Sequence, residues 1–447
     1  MATPTSNSVS TSRYDTSVFD SSLDTMLYGV KWGGSLGKGV TLTYSFPQDP
    51  SYWAWGYSEP DSYYSFDAAQ MAAARSALAS WAAVANVKFR EVVDTSETVG
   101  EIRFAFTNNI DPDAAAHAYL PSNQPQSGDV WVSPDYLYDN PAPGSFFHNT
   151  LIHEIGHSLG LRHSFDVEPQ YDNYFYSVMS YTASPWSADG DGYASFNPTT
   201  PMYLDILAMQ ALYGAKDLKS NHGNTTYAFY DDYYFQTIFD TGGKDTIVYA
   251  GSDTCSISLT KGSFSVLSMA IDFSTVTSRS TVAIGPGTVI ENARGGNQND
   301  TISGNSSKNK LEGWGGDDSI WGGGGKDVLV GGFGADQLSG GSGNDRFDFN
   351  SVAEIGIWNT DIILDFSRKK DDIDLSTIDA NVYRGGNNKF SFVKKADMTL
   401  NGKAGELCWY KSGGNTYVMG DVDGDANADF VLALLGSKTL SAADFIL

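Results

Sequence analysis

The sequence is poor in cysteine, in cationic residues and in long apolar runs. Two cysteines, Cys255 and Cys408, among 447 residues are too few for a disulfide framework or a cysteine-rich zinc fold. Lys and Arg number 28 against 53 Asp and Glu, a net charge of −25. That balance excludes a nucleic-acid binder with a basic footprint and docking on anionic lipid. The best candidate for a membrane span, Ala68–Val87, carries Gln70, Arg75, Ser76, Ser80 and Asn86, which a span would not choose. Its apolar residues Met71, Ala74, Leu78, Trp81 and Ala85 recur at three- and four-residue spacing, so it reads as an amphipathic helix over a soluble core. No basic stretch followed by an apolar one opens the chain, which argues against a Sec-type signal peptide. Residues 1–22, rich in Ser and Thr, read as a leader, a propeptide or a loose end.

Against these absences stand 41% apolar residues, enough for a sizeable core, and 47 glycines unevenly spread. Val40–Phe46 and Ile102–Phe106 alternate as half-buried strands do. Phe146–Leu161 and Pro201–Tyr213 have helical periodicity, with Gly160 and Gly214 placed to end them. Composition changes near residue 215. The polar stretch Lys216–Asn224 is the expected boundary between a first domain, 23–218, and a second, 219–447.

The second half contains a nine-residue repeat: GGNQNDTIS from Gly295, GNSSKNKLE from Gly304, GWGGDDSIW from Gly313, GGGGKDVLV from Gly322, GGFGADQLS from Gly331 and GGSGNDRFD from Gly340. The sixth position is Asp300, Asn309, Asp318, Asp327, Asp336 and Asp345; the eighth is always apolar. A flexible linker has no reason to place an apolar residue at every ninth position. Glycines permit left-handed turns that expose carbonyls, and the aspartate adds a hard anionic oxygen, so stacked turns form an oxygen cage suited to Ca²⁺. The expected calcium residues are Gly295 with Asp300, Gly313 with Asp318, Gly322 with Asp327, Gly331 with Asp336, and Gly340 with Asp345. If two repeats make one coil, ladder neighbours lie 18 residues apart. Asn309 lacks the charge, so weaker ion binding is expected at its level. The repeat resembles the calcium-binding β-roll of RTX proteins. A further acidic cluster, Asp421, Asp423, Asp425 and Asp429, fits a solvated turn as well as a calcium site.

Half of the six histidines fall within residues 153–163, HEIGHSLGLRH. A helix puts His153 and His157 on one face, and Gly160 lets the chain turn back to bring His163 to the same point. Three neutral imidazoles make an open tetrahedral Zn²⁺ site whose uncancelled charge lowers the pKa of water in the fourth place. Glu154, beside the first ligand, can take that proton. Scattered core histidines would not reproduce five fixed positions in eleven.

This motif resembles that of the metzincin metalloproteases, and Ser177-Val178-Met179-Ser180-Tyr181 resembles their Met-turn. With a C-terminal RTX roll, the chain looks like the serralysins, secreted bacterial proteases, over most of its length. The resemblance implies an α+β zinc-protease domain followed by an all-β parallel β-roll. It implies that Met179 forms an apolar floor under the histidines, and that Tyr181 is a switchable zinc ligand that donates a hydrogen bond to the oxyanion. It also implies that the strand at Ala116, Ala118 and Tyr119 holds substrate backbone. His117 within it reads as an exposed strand histidine. Ser164 departs from the family's usual proline. Protein or peptide substrates, the type I secretion apparatus and a proteinaceous inhibitor are the implied partners of a monomeric, extracellular enzyme; Asp444-Phe445-Ile446-Leu447 resembles a type I secretion terminus. Cys255 and Cys408 are expected to be two buried thiols. Two rival readings are a calcium-dependent adhesin with a structural zinc site, which has no need of Glu154, and a pore-forming RTX toxin, which needs a membrane-inserting segment that the sequence does not contain.

Overall fold

The Asp67 carboxylate accepts a hydrogen bond from the Gln70 backbone amide while Gln70 Oε1 accepts one from the Asp67 backbone amide, and this reciprocal cap starts helix α2 (Ala68–Val84). It follows the short α1 (Ser21–Met26) and precedes α3 (Phe146–Ser158) and α4 (Tyr203–Tyr213). The computed structural model describes residues 9–48, 53, 56–186, 193–216, 223–393 and 400–447. The chain divides into two compact units: 1–220 with 233–241 and 268–288, and 221–232 with 242–267 and 289–447. Much of the expected boundary, residues 217–222, lies outside the described residues, as does the start of the chain, 1–8.

In the first unit, β1 (Thr11–Arg13) pairs antiparallel with β2 (Val30–Trp32). A mixed sheet has strands β3 (Val40–Ser45), β4 (Tyr63–Ser65), β5 (Val87–Glu91), β6 (Ile102–Thr107), β7 (Ala116–Ala118) and β8 (Val130–Val132). Its order is β5-β3-β6-β8-β7, with β4 also on β6, so β7 is an edge. It pairs antiparallel with β8, Ala116 opposite Val132 and Ala118 opposite Val130. The expected alternation in Ile102–Phe106 is not found: all six residues of β6 are buried, because a sheet covered on both faces leaves no solvent side. Helix α3 ends at Ser158, three residues before the expected stop. Leu159 caps it and Gly160 turns away at φ +107°, where a Cβ would meet the Val30 carbonyl.

In the second unit, Thr301–Ser303, Ser319–Trp321 and Gln337–Ser339 stack in parallel register, as do Asn292–Arg294, Lys310–Gly315, Val328–Phe333 and Arg346–Asp348. Partners in the repeats are 18 residues apart, as expected for a two-repeat coil: Ile302 pairs with Ile320, Ile320 with Leu338, and Leu311 with Leu329. These side chains, with Phe347, are fully buried. No single repeat could bury them alone, so the coil is stable only as a stack. Among the described residues no helix is long and apolar enough to cross a membrane.

Candidate metal centre and the acidic ladder

Helix α3 owes its position to long-range hydrogen bonds on its carbonyls. Trp81 Nε1 of α2 donates to Ile152 O (3.0 Å), Trp32 Nε1 to Ser158 O (2.7 Å) and the Tyr213 hydroxyl to Leu159 O (2.8 Å). The last two bonds satisfy carbonyls that a helix C-terminus leaves unpaired. A Cβ on Gly156 would sit 2.5 Å from Met179 Sδ, so only glycine lets the helix descend onto this fully buried methionine. After the helix, the Tyr28 amide donates to Gly160 O (3.0 Å) and the Arg162 amide to Met26 O (2.7 Å), pinning the turn that returns His163. The Ser164 amide donates to Met179 O (3.3 Å), a bond proline could not make.

The three histidines come together. One ring nitrogen of each lies within 4.8 Å of the others, and His157 Nε2 is 3.1 Å from His163 Nε2. The tautomers follow from the outer nitrogens. His153 Nδ1 is 2.7 Å from Val178 O, and His157 Nδ1 is 2.8 Å from Leu161 O. A carbonyl can only accept, so both Nδ1 atoms carry the proton and both Nε2 atoms present lone pairs. Burial and mutual repulsion push the His153 and His157 pKa values down, that of His157 to about 4, and burial does the same to His163. Neutral rings with lone pairs aimed at one point repel each other unless a cation lies between them, so the donor set fits Zn²⁺.

Glu154, the next residue on α3, is buried, and its Oε2 has no hydrogen-bond partner; in the absence of a cation, burial raises its pKa to about 8. Tyr181 is half exposed, its ring 5.6 Å from that of His153 and 4.7 Å from that of His163. A recess of about 400 Å³ is lined by Ala116, Ala118, Glu154, His157, His163 and Tyr181, among others. A second, of about 620 Å³, shares Ala116, Glu154 and Tyr181 and runs to Thr150, Tyr174 and Ser180. Tyr119 lines neither recess. It lies beyond the end of β7, its hydroxyl donating to Glu59 Oε1 (2.6 Å) and its amide to Asp129 O. His117 is half-buried rather than exposed, 3.1 Å from the same Glu59 oxygen. Nothing in the local sequence pointed to Glu59, 58 residues upstream of His117.

Behind the ligands, Asp205 in the first turn of α4 is fully buried. Burial pushes its pKa up to about 7, while the Ser177 hydroxyl and the Val178 and Met202 amides pull it down. Three donors fit the ionised form.

In the second unit the aspartates form two ladders. The amide of Asp300 donates to Asp318 Oδ1, that of Asp318 to Asp336 and that of Asp336 to Asp361. The other ladder runs Asn309, Asp327, Asp345, Asp371 by the same bond. Each of Asp318, Asp327, Asp336, Asp345 and Asp361 keeps a buried Oδ2 without a partner. Gly295, Gly313, Gly322, Gly331 and Gly340 begin these turns because the aspartate of the same repeat packs where a Cβ would stand. Asn309 is different: its side-chain Nδ2 donates to Glu291 O (3.0 Å) and Asn305 Oδ1 (3.2 Å), so the side chain is satisfied within the protein. The repeat pattern did not include Asp361 and Asp371, because the spacing lengthens to 25 and 26 residues there. A signal was present nonetheless: both are followed two residues on by buried isoleucine, Ile363 and Ile373, as in the repeats. In the cluster at 421–429, Asp421, Asp423 and Asp429 offer oxygens within 4.8 Å of one another, but Asp421 and Asp429 already accept backbone amides. Cys255 and Cys408 are buried and not bridged.

The family model for the peptidase M10 serralysin C terminus matches residues 204–447, and the matrixin model matches residues 56–189. Serralysin G of Dickeya chrysanthemi is 35% identical over 93% of this chain and 88% of its own length. Serralysin A of the same organism is 36% identical over 93% and 87%. The serralysin of Proteus mirabilis is 39% identical over 78% and 76%.

Proposed function

The chain belongs to the serralysin family of zinc metalloendopeptidases, and on that premise we propose that it is a secreted enzyme in which His153, His157 and His163 hold the zinc, Glu154 is the general base and Tyr181 assists. The observation that carries the assignment is the convergence of three neutral imidazoles beside a buried carboxylate oxygen that nothing else uses. Zn²⁺ bound there supplies a Lewis acid that acidifies water and polarises a carbonyl. Glu154 takes a proton from the attacking water and delivers it to the leaving amine nitrogen. The free edge of β7 at Ala116–Ala118 offers backbone groups to an extended peptide and orients its scissile bond. Metal analysis tests the ligand set: one zinc per chain is expected for the wild type and a large loss for His163→Ala. Equal zinc in both would remove His163 from it.

Tyr181, half exposed with its ring beside those of His153 and His163, would serve as an extra ligand for the metal and would donate its O–H to the oxyanion once substrate is bound. Tyr181→Phe is expected to lower kcat by about 10²-fold with little change in KM, the pattern of a bond made only in the transition state. Unchanged kcat would remove the role.

The second unit is proposed to bind Ca²⁺ along both ladders, through Asp300, Asp318, Asp327, Asp336 and Asp345 and the carbonyls of their glycine turns, most weakly at Asn309. Unpartnered buried carboxylate oxygens on Asp318, Asp327, Asp336 and Asp345 support this, since such groups are costly without a cation. Folding outside a calcium-poor cytosol fits export by type I secretion. The boundary between the domains is assigned to the polar stretch 215–225, although 233–241 and 268–288 beyond it belong to the first compact unit.

A further inference from the structure

No residue of α4 lines either recess, yet one of its side chains reaches the histidines at two removes. Asp205 Oδ1 accepts the Ser177 hydroxyl (2.6 Å), and Oδ2 accepts the amides of Val178 and Met202 (both 2.8 Å). Ser177 Oγ in turn accepts the Met179 amide (3.0 Å). The Val178 carbonyl, in the segment so held, accepts the Nδ1 proton of His153 (2.7 Å).

We propose that Asp205 is a positioning residue for the metal centre: through Ser177 and Val178 it fixes the carbonyl that keeps His153 in the tautomer and orientation a zinc ligand needs. The inference rests on His153 being a ligand. The chemistry is specific to a carboxylate. Two amides and a hydroxyl, all buried, need acceptors, and an apolar side chain at 205 would leave them unpaired. Asparagine keeps one acceptor but turns an NH₂ toward a donor. Either change makes residues 177–179 find other partners, and the Val178 carbonyl moves with them. Partners of a ligating imidazole are commonly worth 10–100-fold in metal affinity.

Chelator competition on the full-length protein tests this, with wild type, His153→Ala, Asp205→Asn and Leu212→Ala compared where circular dichroism finds each folded. Leu212 is a fully buried residue of the same helix without a bond to 177–179, so it reports generic loosening. Asp205→Asn is expected to weaken zinc about 10–100-fold and shift the absorption of the cobalt-substituted protein, with Leu212→Ala within about threefold of wild type. Wild-type zinc affinity in Asp205→Asn, or an equal loss in Leu212→Ala, would overturn the inference. If Asp205→Asn does not fold, Ser177→Ala is read in the same way: weaker zinc supports the inference and wild-type affinity overturns it. Equal affinities in wild type and His153→Ala would instead overturn the ligand assignment, so the two failures are distinguishable.

Discussion

Replacing Glu154 by alanine is expected to lower kcat for casein cleavage by about 10²–10⁴-fold while the protein keeps its zinc, because proton transfer by a positioned base contributes on that order. The side chain is next to His153 on α3, but its Oε2 meets no hydrogen-bond donor. Burial alone raises its pKa to about 8. A divalent cation held by the adjacent imidazoles lowers it again, favouring the carboxylate that can accept a proton near neutrality. Glu154→Gln sharpens the test: it keeps volume and polarity and removes basicity, so it should be nearly as impaired as alanine. Activity equal to wild type in either variant, or loss of zinc together with activity, would remove the assignment.

Withdrawing calcium is expected to destabilise the second unit selectively. A site saturated at 100 times its dissociation constant contributes about 2.7 kcal/mol, so four sites rival the 5–15 kcal/mol of a whole domain. The ladders explain the dependence: without a cation, neighbouring buried carboxylates repel each other and keep Oδ2 atoms that no donor satisfies. The pH dependence follows. Burial and neighbouring aspartates raise the pKa of Asp318 to about 8, and burial raises Asp327 and Asp336 to about 6. Between about pH 4 and 8 the calcium-free fold holds protons that the unfolded chain has released, so its stability falls as pH rises. With calcium the ionised form is the ligand, and stability falls as pH drops. Melting curves of the second unit from pH 5 to 8, with and without a calcium chelator, should therefore slope in opposite directions. Parallel curves, or limited proteolysis beyond residue 289 indifferent to the chelator, would remove the calcium assignment.

Much of this was legible before any coordinates. The histidine spacing reads as one helical face because a helix repeats every 3.6 residues, and Gly160 announces the turn that returns His163. The nine-residue register reads as a coil because glycine, aspartate and an apolar residue each have one geometric task per turn, which puts ladder neighbours 18 apart. Short periodicities carry these features, and a sequence displays short periodicities directly. Only the tertiary structure assigned the rest. It gave His153 the Val178 carbonyl and gave that segment Asp205. It covered both faces of Ile102–Thr107 and turned Tyr119 from the recess to Glu59. It also carried the ladders on to Asp361 and Asp371 after the register broke. Each of these depends on which distant segment supplies a partner to a buried polar group or a cover for an apolar face, and no spacing within either segment encodes that choice.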